Sequence, residues 1–426
     1  MNQDTALAGF AGSSADVRAG AAATAKGIRR GTHRTVTPEE TLSRVLPLAR
    51  VFGISRVANI TGLDTLGIPV WVACRPNARS LSVSQGKGID DASARASAVM
   101  EAIEAFHAER IPAPIKFGSH NELRFTHSMV DVHVLPKTEP AAFHDDARIF
   151  WIEGQDLSTG EGVWLPFELV HLNYTLPALT GSGFFLGSSN GLASGNHLLE
   201  AISHGLCEAI ERDAATLWAL LDEWDKRATR IDLRTIEDPA ACAILDRYDR
   251  ADVGVALWET TADVAIPSFA CTIVDRSRNA MRPVPAARGL GCHPSRDIAV
   301  LRALTEAAQS RLTVIAGSRD DLDEGTYGEP SELEERTRRT LCDETGTRRV
   351  QEAPTWENDT FEDDVRREIE LLNRAGLNQV LAVDLTRPEF EIPVARVVVP
   401  GLEAFHEARG FVPGERARRV FAKRKQ

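Results

Sequence analysis

Hydrophobic and polar positions along the chain fall into two rhythms. Short apolar runs bounded by turn residues predict strands at Val70–Cys74, 81–85, 149–152, 162–167, 254–259, 267–275, 379–385 and 394–399. Three longer segments are alanine-rich and apolar nearly all round, and they predict helices. The first is capped by Asp90 or Asp91 and runs to about residue 110; the others span about 198–224 and 295–316. A further helix opens at Thr37-Pro38-Glu39-Glu40, with cap, proline and acidic first turn in order. Residues 361–375 read as an amphipathic helix. Residues 180–196 read as a mobile or ligand-covering loop, 289–294 as a loop, and 318–360 as an exposed charged excursion. The Ala/Gly/Ser/Thr-rich first 30 residues read as a disordered tail. Alternating helices and strands place the chain in the α/β (α+β) class.

The long helices carry an anomaly. Ser97, Glu101 and Glu104 share one face of the first. Asn196, Glu200, Glu208 and Glu211, with Arg212 beside them, form a stripe on the second. Arg302, Glu306 and Gln309 form a stripe on the third. The residues between are apolar, so these stripes are not the wet faces of ordinary amphipathic helices. Buried carboxylates are costly unless paired or metal-bound. Three such stripes suggest one shared site that binds divalent cations. Mg²⁺ suits it, taking hard oxygen ligands and bridging to phosphates. Arg212, Arg302 and Lys87, the last flanked by Gly86 and Gly88, supply cations for those phosphates. The similar stripes of the first and third helices hint at two related halves.

Composition narrows the function. At 426 residues, 43% hydrophobic and 26% charged, the chain is an ordinary globular protein. A net charge of −12 argues against nucleic-acid or anionic-membrane binding. The basic residues Arg416, Arg418, Arg419, Lys423, Arg424 and Lys425 read as a solvated end. No signal peptide or membrane-length apolar stretch is seen, which predicts a cytoplasmic protein. The six cysteines form no C-x-x-C pair; Cys207 and Cys292 read as packing residues. Walker, dinucleotide-binding and H-E-x-x-H motifs are missing. Gly187-Ser188-Ser189-Asn190-Gly191 matches the hydrolase elbow pattern, but the loop continues where a helix should begin. Glu104 with His107 has the spacing of di-iron bundles, as do Glu168 with His171 and Glu403 with His406. The latter two are not mid-helix, and His107 reads as a surface or packing residue.

Taken together, the motif residues resemble the YcaO family, ATP-dependent enzymes that modify peptide backbone amides. Ser97-Ala-Val-Met-Glu101-Ala-Ile-Glu104 is similar to its first helix motif. The stretch from Ser188 to Glu200, with Glu208-Ala-Ile-Glu211-Arg212-Asp213, is similar to its second block. Arg302-Ala-Leu-Thr-Glu306-Ala-Ala-Gln309 is similar to the third, and Val397 to Glu403 to its C-terminal strand. The likeness covers roughly residues 80–405 and implies one catalytic domain over 31–426 with the YcaO fold. It implies an ATP site in which Glu101, Glu104, Glu200, Glu208, Glu211 and Glu306 hold Mg²⁺, with Glu101, Glu200, Glu208 and Glu306 as catalytic residues. Lys87, Ser97, Asn196, Arg212, Arg302 and Gln309 would contact nucleotide. The family often has Arg after the second motif glutamate, where this chain has Ala105. Azoline-forming members tend to end in a proline-rich tail, whereas this chain reads Ala-Lys-Arg-Lys-Gln. The resemblance therefore points to the branch that uses an external nucleophile: sulfide giving a thioamide on a peptide or protein, with a TfuA-like partner, a sulfur donor and a homodimeric enzyme. Azoline or amidine formation, and a non-catalytic nucleotide- or peptide-binding partner protein, are the alternatives.

Overall fold

The computed structural model describes residues 24–139, 142–277, 284–322 and 332–423, with only the backbone for 332–337. The strands are β1 Arg56–Asn59, β2 Val70–Cys74, β3 Val83–Lys87, β4 Ile115–Ser119, β5 Arg148–Asp156, β6 Gly162–Pro166, β7 Leu192–Ser194, β8 Val253–Glu259, β9 Ser268–Asp275, β10 Ala287–Cys292, β11 Leu381–Asp384 and β12 Val394–Val398. The main helices are α1 Pro38–Val45, α2 Asp91–Glu109, α3 Leu198–Ala219, α4 Pro239–Arg250, α5 Arg296–Ala316, α6 Glu332–Asp343, α7 Phe361–Arg374 and α8 Glu415–Lys423.

Three sheets result, a mixed α/β architecture in which every named strand pair is antiparallel. One is the meander β1-β2-β3 and another the meander β8-β9-β10; the large sheet runs β4-β5-β11-β12-β7, with β6 also on β5. Each meander feeds directly into a long helix that packs back on it, α2 on β3 and β2, α5 on β10 and β9. Two halves of one design thus flank α3, which packs on β7, β12 and β10.

The contact of each helix with its last strand depends on glycine. A Cβ on Gly86 would come 2.0 Å from the Ala98 nitrogen of α2. One on Gly289 would come 2.2 Å from the Ala307 nitrogen of α5. Without side chains there, backbone meets backbone, and the stripes of α2 and α5 face the strand edge.

The helix starts follow the sequence. Thr37 and Glu40 form a capping box on α1, Asp90 accepts from the Ser93 N–H, and Thr360 caps α7. The predicted helix at 198–224 instead stops at Ala219, because Asp222 caps a separate helical turn, Glu223–Ala228. β1, β4 and helix α4 are not foreseen by the sequence reading, and β7 and most of β10 fall where it places loops.

The first 23 residues lie outside the described residues, but 24–30 are tied down rather than loose. Ala25 bridges to Thr360, and the Lys26 Nζ meets Asp364 at 2.5 Å in a buried ion pair. The charged excursion also packs in part: Leu341, Val350 and Ala353 are buried. Loop 180–196 is pinned by the Glu168 carboxylate, which accepts from the N–H groups of Gly183, Phe184 and Phe185 at 2.5–3.2 Å. The C-terminal basic run is not all solvated. Arg416 forks onto buried Asp213 at 2.9 Å twice, and Glu403 accepts from the N–H groups of Gly414 and Ala417. These bonds dock α8 on α3.

Candidate active site

The carboxylates approach from three helices. α2 carries Glu101 and Glu104, α3 carries Glu208 and Glu211, and α5 carries Glu306. Each group's charge acts on others across the helices: Glu208 on Glu101, and Glu306 on both Glu208 and Glu211. Glu101 is exposed, while Glu211 is buried. Surrounding protein pushes Glu101 up to about 7, with Glu208 adding repulsion. Burial likewise lifts Glu104 to about 8, against hydrogen bonds from the Ser194 N–H (2.9 Å) and hydroxyl (2.7 Å). Burial lifts Glu211 to about 7 and raises Glu208.

Glu306 is the exception. Burial would raise it, but Lys87 and Arg212 hold it below the ordinary range. Lys87 Nζ lies 2.5 Å from its Oε2, and the Leu290 N–H donates to Oε1 at 3.2 Å. Lys87 thus joins the end of the first meander to the helix of the second. Arg212 faces Glu211 at 3.6 Å and Glu208 at 3.9 Å and lies over the Phe405 ring.

The remaining expected residues are distributed around this centre. Gln309 donates from Nε2 to the Gln85 carbonyl at 2.7 Å, joining α5 to β3. Arg302 meets Nε2 of His204 at 2.9 Å; burial, and then Arg302 itself, hold that imidazole well below its ordinary pKa and so neutral. Ser97 is half-buried on α2 where β3 crosses. Glu200 stands about 12 Å from Glu208 along α3, eight residues at helical rise. Its carboxylate accepts from the Thr35 N–H and hydroxyl, both 2.9 Å, and from the Asn196 N–H and side chain at 3.3–3.4 Å. Asn196 in turn accepts from Thr41 and Arg44, 3.0 Å each. The structure therefore gathers Glu101, Glu104, Glu208, Glu211, Glu306, Lys87 and Arg212. Glu200 and Asn196 form a second cluster with the N-terminal segment.

The rival motifs dissolve into packing. His107 is buried among Phe52, Phe106 and Phe390 and bonds the Ile103 carbonyl. Cys207 and Cys292 are buried in the core. Ser189 lies on an exposed loop with no strand directly before it. Ser194, which bonds Glu104, Thr35, which bonds Glu200, and Arg319 and Arg396, whose charges act on Glu101 and Glu208, were absent from the expected set. They come from loops and strands, where no helical spacing flags them.

Could these residues hold Mg²⁺? Among the described residues no three His, Cys, Asp or Glu side chains close into a cage. The set is nonetheless all hard oxygen, and desolvation holds Glu101, Glu104, Glu208 and Glu211 above the ordinary carboxylate range. That suits an ion which keeps waters and takes phosphate oxygens as ligands, bound by one or two carboxylates at a time.

Residues 85–403 match the family model described as YcaO cyclodehydratase, ATP- and Mg²⁺-binding. The chain belongs to the YcaO family. A protein in the tfuA 3′ region of Rhizobium leguminosarum bv. trifolii is 37% identical over 377 residues, 87% of this chain and 88% of that one. One from Methanothermobacter thermautotrophicus is 35% identical over 381 residues, 87% and 95% of the two chains. Among solved structures, YcaO from Methanopyrus kandleri bound with AMPPCP and Mg²⁺ is 26% identical with a TM-score of 0.72, covering 92% of this chain and 99% of that one. A heterocyclase in complex with substrate and cofactor is 25% identical with a TM-score of 0.74, covering 92% of this chain and 55% of that longer one. The fold, the family and its use of ATP and Mg²⁺ thus agree with the sequence reading.

Proposed function

We propose that this YcaO protein activates a backbone amide of a peptide or protein with ATP and Mg²⁺, and installs a thioamide with an external sulfide equivalent. The observation that carries it is the convergence of five glutamates from three helices with Lys87 and Arg212. Like charges gathered in that number repel one another, and a scaffold protein gains nothing from them.

The chemistry supplied by ATP is conversion of a poor leaving group into phosphate. Sulfide adds to the carbonyl carbon, the C=O electron pair moves to oxygen, and that oxygen takes the γ-phosphoryl group as ADP departs. Loss of phosphate and of the S–H proton leaves C=S. Glu101, Glu104, Glu208, Glu211 and Glu306 would hold the metal. Lys87, Arg212 and Arg302 would balance phosphate charge, and Ser97, Asn196 and Gln309 would orient the nucleotide. Glu200 would keep the N-terminal segment and Asn196 in place at the far end. Such a site works through positioning and fixed charge. The tfuA neighbourhood of the Rhizobium relative supports sulfide as nucleophile and a TfuA-like protein as partner.

The test is Glu306→Gln and Glu101→Gln in the full chain. Mg²⁺-dependent ATP consumption should fall about 10²–10³-fold with the fold intact. Unchanged turnover in both would remove the site. Mass spectrometry of the modified peptide decides the product: oxygen exchanged for sulfur supports thioamide formation, whereas loss of water indicates a ring-forming cyclodehydratase.

A further inference from the structure

Arg396 is 2% exposed, yet its Nε and Nη1 have no hydrogen-bond partner among the described residues. Only Nη2 is used, donating to the Ser188 carbonyl at 2.6 Å. The residue sits mid-strand in β12 on the same face as Val394 and Val398, a charge on an otherwise apolar surface. Burial depresses its pKa to about 10, so the guanidinium remains charged and poorly compensated. A buried unpaired donor set of this kind costs stability and calls for a ligand.

A small, half-open cleft with a cavity volume of about 40 Å³ lies beside it. Leu169, Leu186, Leu402 and Ala209 wall it, and Arg396, Asn190 and Ser188 are polar groups on its lining, the Ser188 hydroxyl already accepting from the Asn190 N–H at 3.3 Å. The Oδ1 of Asn190 is also buried and without a partner. Glu403 lines the cleft too, but its carboxylate is occupied by the N–H groups of Gly414 and Ala417. Arg396 acts electrostatically on Glu208, which places the cleft near the carboxylate centre.

We propose that this cleft seats the substrate's main-chain amide, the peptide C=O accepting from Arg396 and the N–H donating to Asn190, with an apolar side chain against the leucines. The pairing follows from what is unsatisfied. A phosphate or carboxylate would answer Arg396 but would press its charge on Asn190 Oδ1 and on Glu208. A peptide unit offers one acceptor and one donor, and so meets both. The seat rests on the proposed amide-activating function and adds where the amide lies.

The probe is N-acetyl-leucine N-methylamide, added to the full chain with Mg²⁺ and AMPPCP and followed by saturation-transfer NMR. Binding should weaken about tenfold in Arg396→Met and separately in Asn190→Leu, the loss of one hydrogen-bonded partner, while AMPPCP affinity holds. If Arg396→Met fails to fold, Asn190→Leu, on a loop, decides alone. Undiminished probe binding in the variants overturns the seat. So does a parallel loss of AMPPCP affinity, which would give these residues to the nucleotide. Stronger Arg396-dependent binding of N-acetyl-leucine, with its free carboxylate, overturns it as well. Mg²⁺-dependent AMPPCP binding without any probe signal sinks the seat and leaves the ATP reading standing. No AMPPCP binding by the unaltered chain sinks that reading itself, and the seat with it.

Discussion

Lys87 bonds the Glu306 carboxylate across the two halves of the site. With Arg212 it holds Glu306 ionised while burial keeps the neighbouring glutamates near neutrality. Replacing it by methionine should raise the Glu306 pKa toward those of its neighbours and remove a phosphate partner together. Mg²⁺-dependent ATP consumption is expected to drop about 10²-fold. Stability should change by less than about 1 kcal/mol, because both side chains keep roughly a fifth of their surface in solvent and such pairs are screened. A Lys87→Met protein that consumes ATP at the original rate would leave Lys87 a mere strut. The glutamates could be picked out because regular helical spacing put charge where apolar residues were due, and Lys87 because Gly86 and Gly88 flank it. Ser194, which anchors Glu104, and Arg396, which faces Glu208, gave no such sign. Their strand alternation is shared with any half-buried sheet, and their partners are distant in sequence.

At the level of elements, the two meander-helix units share one device. Gly86-Lys87-Gly88 and Gly289-Leu290-Gly291 end β3 and run through β10, and each lets its helix backbone approach. Gly86→Ala and Gly289→Ala should each destabilise by about 1–3 kcal/mol or more, since a Cβ would meet main-chain atoms that cannot rotate away. Gly62→Ala is the control: nothing lies within 4 Å of its Cβ position, so chemical denaturation should register little change. Equal midpoints for all three variants would mean that the helices can slide. The same glycines explain an error of reading. Residues 289–294 read as a loop because Gly289 and Gly291 lower strand propensity, yet the strand Ala287–Cys292 runs through both glycines. Close packing against α5 required them, and tertiary contact overrode composition. The relation between halves, faint in the stripes of α2 and α5, is plain in the sheets those helices cover.

Across the whole molecule, the free site is a proton store. Glu101, Glu104 and Glu211 sit near 7, 8 and 7, against a carboxylate's ordinary value of about 4.3. A folded pKa above the unfolded one means the folded chain holds the extra protons between those limits. These groups therefore contribute stability that fades as pH climbs from about 4.3 through 7–8. His33, His204 and His293 act oppositely: burial holds all three below their ordinary value, so their neutral forms favour folding above about 6.5. The two trends overlap, so a pH scan of stability alone would not separate them. Metal binding does. Mg²⁺ requires ionised carboxylates, so Mg²⁺–nucleotide should release protons on binding, about three at pH 6 and fewer than one above pH 8, with affinity rising across that interval. Calorimetry in buffers of different ionisation enthalpy counts those protons directly. Glu104→Gln should lower the count and flatten the affinity profile, while the histidines, already neutral in the fold, contribute nothing to it. A proton count of zero at pH 6, with affinity independent of pH, would mean that the five glutamates do not share the ion.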